Sequence, residues 1–175
     1  MFNTPFPQVN LAVDSESISN IDAIGASGGN LEVSSLFFVG GLDSATFTLP
    51  EFFSTINLNT SFVGCLDNIE IDSIMATLNS VYFVEAKGVT ACSAISFVDQ
   101  RSYVAFRNIV ATSSTGTSLT FDFTTVASDG VLVYVGPSTG SIDFFSVYLS
   151  NGSVVVKYNL GSGKASVTSL GEGGS

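Results

Sequence analysis

The side chains that could carry catalysis in this chain are carboxylates, because its 175 residues include no histidine. Ser–His and Cys–His nucleophilic catalysis need an imidazole base and are therefore excluded. Two cysteines without histidine do not supply a usual zinc ligand set. Glu70 and Asp72 stand two positions apart in a segment where Ile69 and Ile71 alternate with polar residues. This period of two predicts a half-buried strand with both carboxylates on one face.

Acidic pairs on a strand can cleave glycosidic bonds. Some jelly-roll glucanases carry the pattern Glu-x-Asp-x-x-Glu, in which the two outer glutamates act as nucleophile and acid/base. In this chain the last position of that pattern is Met75. A retaining glycosidase needs two carboxylates ~5–5.5 Å apart, and the segment offers Glu70 no such partner. We therefore predict a protein that is not an enzyme, and keep a degenerate jelly-roll glycanase as the least favoured alternative.

Two kinds of sequence feature point towards an extracellular or cell-surface location. Cys65 and Cys92 are the two cysteines, so any intrachain disulfide must join them. Asn59 and Asn151 each begin an N-glycosylation acceptor pattern. Two buried thiols would also suit a cytosolic protein. The residues after Met1 do not open a signal peptide, since they lack a charged start and an apolar stretch.

Charge and hydropathy exclude several partners. Fifteen acidic and five basic residues give a formal net charge of −10. Nucleic acid backbones are bound by clustered Lys and Arg, so we expect no nucleic acid partner, and heparin-like polyanions are disfavoured for the same reason. The apolar runs, such as Val131 to Val135, are far shorter than the ~20 residues that span a bilayer, so we expect no membrane insertion.

Short alternating runs separated by turns predict an all-β fold. Leu119, Phe121 and Phe123 are expected to face inward from one strand, and the run from Val131 to Gly136 is apolar on both faces. The polar, glycine-bearing segment from Ser15 to Gly29 is expected to be a loop.

One hairpin can be predicted in register. Asn-Gly between two alternating runs favours a two-residue turn, here at positions 151 and 152. Such a turn pairs Ser150 with Ser153. Continued outward, the same register pairs Asp143 with Leu160.

Three motifs carry a family resemblance. A strand begins at Gly64-Cys65, an aliphatic strand runs into Gly40-Gly41, and the hairpin closes with the Leu-Gly-Ser-Gly of residues 160–163. These motifs resemble laminin G-like modules of the laminin, neurexin and sex-hormone-binding-globulin type. The resemblance implies an antiparallel jelly-roll β-sandwich of concanavalin-like architecture. It also implies a bridge from Cys65 to Cys92, because these modules tie the Gly-Cys strand to a terminal cysteine.

The two halves of the module occur in reversed order. Residues 1–92 resemble the C-terminal half of one module, and residues 93–175 resemble the N-terminal half of the following module. The chain is then either a fragment of a tandem array or a circular permutation in which the halves pack as one sandwich. The family usually has a Trp-His strand midway, and this chain contains neither residue. A composite sandwich would lack that strand and expose a sheet edge.

The resemblance also implies a calcium site. Laminin G-like modules that bind calcium use an Asp at the start of this hairpin and a carbonyl at its end, which correspond to Asp143 and Leu160. The other two ligands correspond to the Glu32 side chain and the Asn30 carbonyl. Calcium accepts such oxygen ligands flexibly. Glu32 replaces a shorter Asp or Asn, and the four residues share a site only in a composite fold; otherwise Asp143 ends a strand and Glu32 lies on a solvated face.

Taken together, the sequence predicts a non-catalytic extracellular recognition or adhesion module. Its implied partner is a protein or glycan receptor, and calcium is the candidate cofactor. The alternative is a purely structural spacer in a multi-module ectodomain. Calcium binding would distinguish the two.

Overall fold

The computed structural model describes residues 8–13, 16–22, 36–42, 60–71, 73–91, 95–107, 118–136, 144–159 and 164–168. In these ranges the chain forms antiparallel sheets of two, five and seven strands, which confirms the predicted all-β jelly-roll sandwich. No helix in the same ranges is long and apolar enough to cross a bilayer. The strands are β1 Gln8–Val13, β2 Glu16–Asp22, β3 Phe37–Val39, β4 Gly64–Ile71, β5 Ile74–Met75, β6 Phe83–Lys87, β7 Val89–Ala91, β8 Ile95–Phe97, β9 Tyr103–Phe106, β10 Leu119–Thr124, β11 Gly130–Val135, β12 Phe144–Ser150, β13 Ser153–Asn159 and β14 Lys164–Thr168.

The seven-stranded sheet has the order β14-β13-β12-β11-β3-β9-β6. Its β12–β13 hairpin turns at Asn151 and Gly152, with φ values of 49° and 79°. Positive φ at both turn residues is what a type I′ turn requires, and the Asn-Gly pair tolerates it. Ser150 pairs with Ser153 as predicted, and the ladder continues in the same register to the outermost described pair, residues 144 and 159.

The five-stranded sheet has the order β10-β4-β8-β7, with β5 also paired to β4. Thr120 pairs with Glu70 and Asp122 pairs with Asp67, so β4 holds one more residue than β10 over this stretch. Asn68, with a φ of 49°, lies in this bulge. A bulge shifts the side-chain alternation by one residue. Consequently the inward-facing residues of β4 are Leu66, Ile69 and Ile71, all of which are buried.

Strands from residues 1–92 lie between strands from residues 93–175 in both large sheets. In the seven-stranded sheet, Val39 of β3 pairs with Val104 of β9 and with Val133 of β11. In the five-stranded sheet, β4 lies between β8 and β10. Strand β3 therefore has both of its neighbours from the later part of the chain, and β4 has two such neighbours besides the short β5.

The hydrophobic core fills the space between the two large sheets. It joins Leu66 and Phe97 of the five-stranded sheet to Val104 and Leu132 of the seven-stranded sheet, all at most 1% exposed. Burying a side chain of this size contributes roughly 1.5–3 kcal/mol. Phe62 lies in the same cluster and is completely buried.

The other face of the seven-stranded sheet is also buried. Phe38, Tyr134 and Tyr148 belong to a second apolar cluster there. Burial raises the pKa of both tyrosines to about 12. The ammonium of Lys157 lies 5.4 Å from the centre of the Tyr148 ring, within cation–π range. The prediction that β11 is apolar on both faces is thus confirmed, since all six of its residues are buried.

Two local predictions are wrong. The segment predicted as a loop from Ser15 to Gly29 contains β2, which pairs with β1. The strand predicted to continue through Asp72 ends at Ile71, which pairs with Ile74, and Ser73 between them has a φ of 67°. In both places backbone pairing with the neighbouring strand determines the structure. The local amino-acid composition indicates only which secondary structure such a segment adopts on average.

Candidate functional site

The structure does not describe the four predicted calcium ligands, Asn30, Glu32, Asp143 and Leu160. It does describe strands next to them along the chain. Phe37 at the start of β3 pairs with Val135, and Val135 pairs with Phe145 near the start of β12. Phe144 in turn pairs with Asn159 at the end of β13. The start of β3, the start of β12 and the end of β13 therefore lie at one end of the seven-stranded sheet, which we call the Phe144 end.

The Phe144 end brings together strands that are far apart in sequence. Strands β3 and β12 are separated there by β11 alone. At ~4.8 Å per strand spacing, they lie roughly 10 Å apart. Among the described residues, no three His, Cys, Asp or Glu side chains are grouped as a metal site would group them. The predicted calcium site thus remains a prediction.

Carboxylates on the outer face of β4 and β10 stabilise the bulge. The Asn68 side-chain amide donates a hydrogen bond of 2.7 Å to Asp122 Oδ2. The Asn68 backbone N–H donates one of 2.8 Å to Asp67 Oδ1. These bonds satisfy polar groups where the regular ladder is interrupted.

One residue of the acidic pair weighed for a glycanase is described. Glu70 lies on β4 and pairs across the hairpin with Met75. Asp72 lies outside the described residues. An apolar side chain therefore stands directly across from Glu70, where a retaining glycosidase would need a second carboxylate nearby.

Cys65 lies on β4, and Cys92 lies outside the described residues. Among the described residues Cys65 is a free cysteine, paired across the strands with Ser96 and Thr124. Strand β8 lies between β4 and β7, the strand that ends at Ala91. The bridge from Cys65 to Cys92 remains a prediction.

One of the two predicted glycosylation sites is described. Asn151 is exposed at the tip of the β12–β13 hairpin, and its backbone N–H donates a hydrogen bond of 3.3 Å to Asp129 Oδ1. A side chain at such a tip is accessible to a modifying enzyme. Asn59 lies outside the described residues.

The end of the sandwich opposite the Phe144 end carries a groove that no sequence motif predicted. The groove has a volume of about 510 Å³ and is open to solvent. We call it the rim groove, and it is lined by Val63, Val98, Asp99, Gln100 and Arg101.

A tight turn between β8 and β9 forms one wall of the rim groove. The Arg101 N–H donates a hydrogen bond of 2.7 Å to Asp99 Oδ1, and the Ser102 N–H donates one of 3.2 Å to the Asp99 carbonyl. The buried Ser102 hydroxyl accepts a bond of 3.0 Å from the Asp99 N–H and donates one of 2.6 Å to the Gly88 carbonyl. Gln100 and Arg101 are therefore exposed on a wall whose backbone is fixed.

Val63, which comes from the segment before β4, also lines the groove. Its carbonyl accepts a hydrogen bond of 2.6 Å from the Thr125 hydroxyl, which itself accepts one of 2.9 Å from the Ala127 N–H. The groove thus combines apolar surface with the Arg101 guanidinium, a planar donor suited to carboxylates. The only sequence signal for it was a short polar run between two apolar strands, which is typical of any turn.

Comparisons with known proteins bear on one part of the chain. No curated protein and no solved structure matches it. A family model matches the segment that includes β11, β12 and β13. This is the segment whose hairpin register was predicted from Asn151 and Gly152. Residues 123–174 match the Laminin G domain, a family whose members are typically extracellular, non-catalytic binding modules.

Proposed function

We propose that this protein is a non-catalytic extracellular recognition module that binds a protein or glycan receptor with the help of calcium. The observation that carries the proposal is the pairing of β3 with β11 in the sheet that also holds β12 and β13. It supports a composite fold, because β3 comes from residues 1–92 and the other strands come from residues 93–175. The two halves are then one circularly permuted sandwich.

Calcium is proposed to bind near the Phe144 end. The carboxylates of Asp143 and Glu32 and the carbonyls of Leu160 and Asn30 would supply four oxygens, and calcium takes six to eight in flexible geometry. Water or an acidic group of the receptor would supply the others. The formal net charge of −10 favours the approach of a divalent cation over that of a polyanion.

The first test is a thermal melt of the chain with excess calcium and with a chelator. A ligand that binds only the folded state stabilises it by about 2.7 kcal/mol at a hundred times its dissociation constant. We expect calcium to raise the melting temperature of the wild type and of Glu70→Gln, a control on the other sheet. We expect Asp143→Asn to abolish the increase.

A cooperative wild-type transition whose melting temperature does not change with calcium would contradict the calcium site. The structural spacer would then be the favoured function. Retention of the full calcium effect in Asp143→Asn would show that the ion binds elsewhere. Receptor binding is tested with the labelled chain on adherent cells, where chelation and Asp143→Asn should both remove the signal. Glu70→Gln should keep the calcium-dependent part of the signal, and neither the wild type nor Glu70→Gln should hydrolyse β-glucans.

A further inference from the structure

Strand β10 forms one edge of the five-stranded sheet. It pairs with β4 on one side, and none of the described strands pairs with it on the other. In an antiparallel sheet about half of an edge strand's N–H and C=O groups point away from its neighbour. Such a row of groups is a template for another strand.

The described edge strands of the two large sheets are β5, β6, β7, β10 and β14, and β10 is the longest of them. It has six residues, whereas β6 and β14 have five, β7 has three and β5 has two. Natural edges are blocked by shortness, by Pro or by charged residues, especially Lys. Glu85 and Lys87 are exposed on β6, and β14 begins with Lys164. Strand β10 contains no Lys, Pro or Gly.

The inward side of β10 is incompletely covered. Leu119, Phe121 and Phe123 pack against the core but remain partly exposed. On the neighbouring β4, Leu66 and Ile71 are 0% and 1% exposed. A further strand next to β10 would place its own inward side chains over these three residues and remove more apolar surface from water.

The outward side of β10 and β4 is acidic. Asp122 on β10 is exposed, and Asp67 and Glu70 on β4 are half-buried. The described residues of these two strands include no Lys or Arg. A second copy of this chain would bring like charges to the edge, since the chain carries a formal net charge of −10. A strand with basic outward residues would instead form favourable cross-strand pairs.

We propose that β10 is a docking edge for an extended segment of a partner protein in which apolar residues alternate with Lys or Arg. The segment would add a sixth strand to the sheet, so that backbone hydrogen bonds supply affinity and the alternating side chains supply specificity. Its apolar side chains cover Phe121 and its neighbours, and its basic side chains face Asp122. Strand β10 contains none of the four proposed calcium ligands and none of the residues that line the rim groove, so the proposal does not depend on calcium.

The probe is a fluorescent peptide of about eight residues that alternates Lys and Val, long enough to pair with the whole of β10. One control peptide has the same composition with its lysines and valines in separate blocks, and another alternates Glu and Val. We expect the Lys–Val peptide to bind at least tenfold more tightly than either control. Hydrogen exchange should show that it protects amides of residues 119–124 selectively.

Two matched variants separate edge pairing from general attraction. Thr120 and Thr90 are exposed residues on the opposite edge strands β10 and β7 of the same sheet. Thr120→Lys should weaken binding of the Lys–Val peptide about tenfold. Thr90→Lys makes the same charge change and should alter the dissociation constant of the peptide by no more than about twofold. Substitutions of exposed residues like these rarely alter stability by more than about 0.5 kcal/mol.

Three results would overturn the proposal. Equal binding of the alternating and block peptides would mean that charge alone attracts them. Equal weakening of peptide binding by Thr120→Lys and Thr90→Lys would also mean that charge alone attracts the peptide. Self-association of the chain with protection of β10 amides would assign the edge to a second copy.

Discussion

A single added methyl group at Gly40 should destabilise the fold severely. Gly40 follows β3 with a φ of 77°, its N–H donates to the Leu132 carbonyl at 2.8 Å, and its own carbonyl accepts from the Phe62 N–H at 2.7 Å. A Cβ atom at this position would overlap the ring of Phe97, with the ring Cζ only 2.5 Å away. Phe97 is 1% exposed, so its ring can move only by disturbing closely packed neighbours.

The matched control is Gly152, which has a φ of 79° and where an added Cβ would meet nothing within 4 Å. Left-handed backbone costs an L-residue roughly 1–2 kcal/mol, so Gly152→Ala should cost about that much. Gly40→Ala has the same free-energy cost from its left-handed backbone. It also displaces Phe97, and complete loss of a buried Phe costs about 3–5 kcal/mol. We therefore expect Gly40→Ala to cost roughly 4–7 kcal/mol.

Urea unfolding of the wild type and both variants measures the difference, provided that the m-value is unchanged. In a Phe97→Ala background the overlap is gone, so Gly40→Ala should then cost only the backbone term of about 1–2 kcal/mol. Equal costs for Gly40→Ala and Gly152→Ala in the wild-type background would refute the packing of Gly40 against Phe97.

Two further predictions concern pH and glycosylation. Because burial raises the pKa of Tyr134 and Tyr148 to about 12, from an ordinary value of 10.0, the unfolded chain releases these protons first as the pH rises. The stability contributed by these two groups should be constant below pH 10 and fall as the pH approaches 12, and a phenolate absorbance titration should show Tyr134 and Tyr148 ionising late; removal of both by Tyr→Phe substitution without loss of a late-ionising component would contradict this. In a secreted preparation, Asn151→Asp should remove one enzymatically releasable glycan and leave thermal stability unchanged, because Asp-Gly also favours the type I′ turn; an unchanged glycan mass would show that Asn151 is unmodified.

The sequence predicted best where local chemistry determines the structure. The Asn151-Gly152 turn fixes its own backbone dihedral angles and therefore the register of the whole β12–β13 hairpin. Strict alternation of apolar and polar residues correctly predicted the inward face of β10, because the side-chain period of a strand is two. The match of residues 123–174 to the Laminin G domain falls on this well-predicted part.

The predictions failed where pairing or contact with another segment, rather than the local residue pattern, decides the structure. The bulge at Asn68 depends on the pairing of β4 with β10, a strand that lies far later in the chain and leaves no local pattern in β4. The rim groove joins Val63 to a turn that follows β8, so its residues are adjacent only after folding. Strand β2 is polar enough to resemble a loop, yet pairing with β1 satisfies its backbone.

The placement of β3 between β9 and β11 has a consequence for biosynthesis. Strand β3 leaves the ribosome well before its neighbours, because its pairing partners begin at Tyr103 and Gly130. At roughly 5–20 residues per second, the β11 partner of Val39 follows about 5–19 s later. The β9 partner, Val104, follows 65 residues after Val39, so for about 3–13 s Phe37, Phe38 and Val39 have neither neighbour. The nascent chain therefore depends on chaperones or on transient local contacts to keep this segment from aggregating.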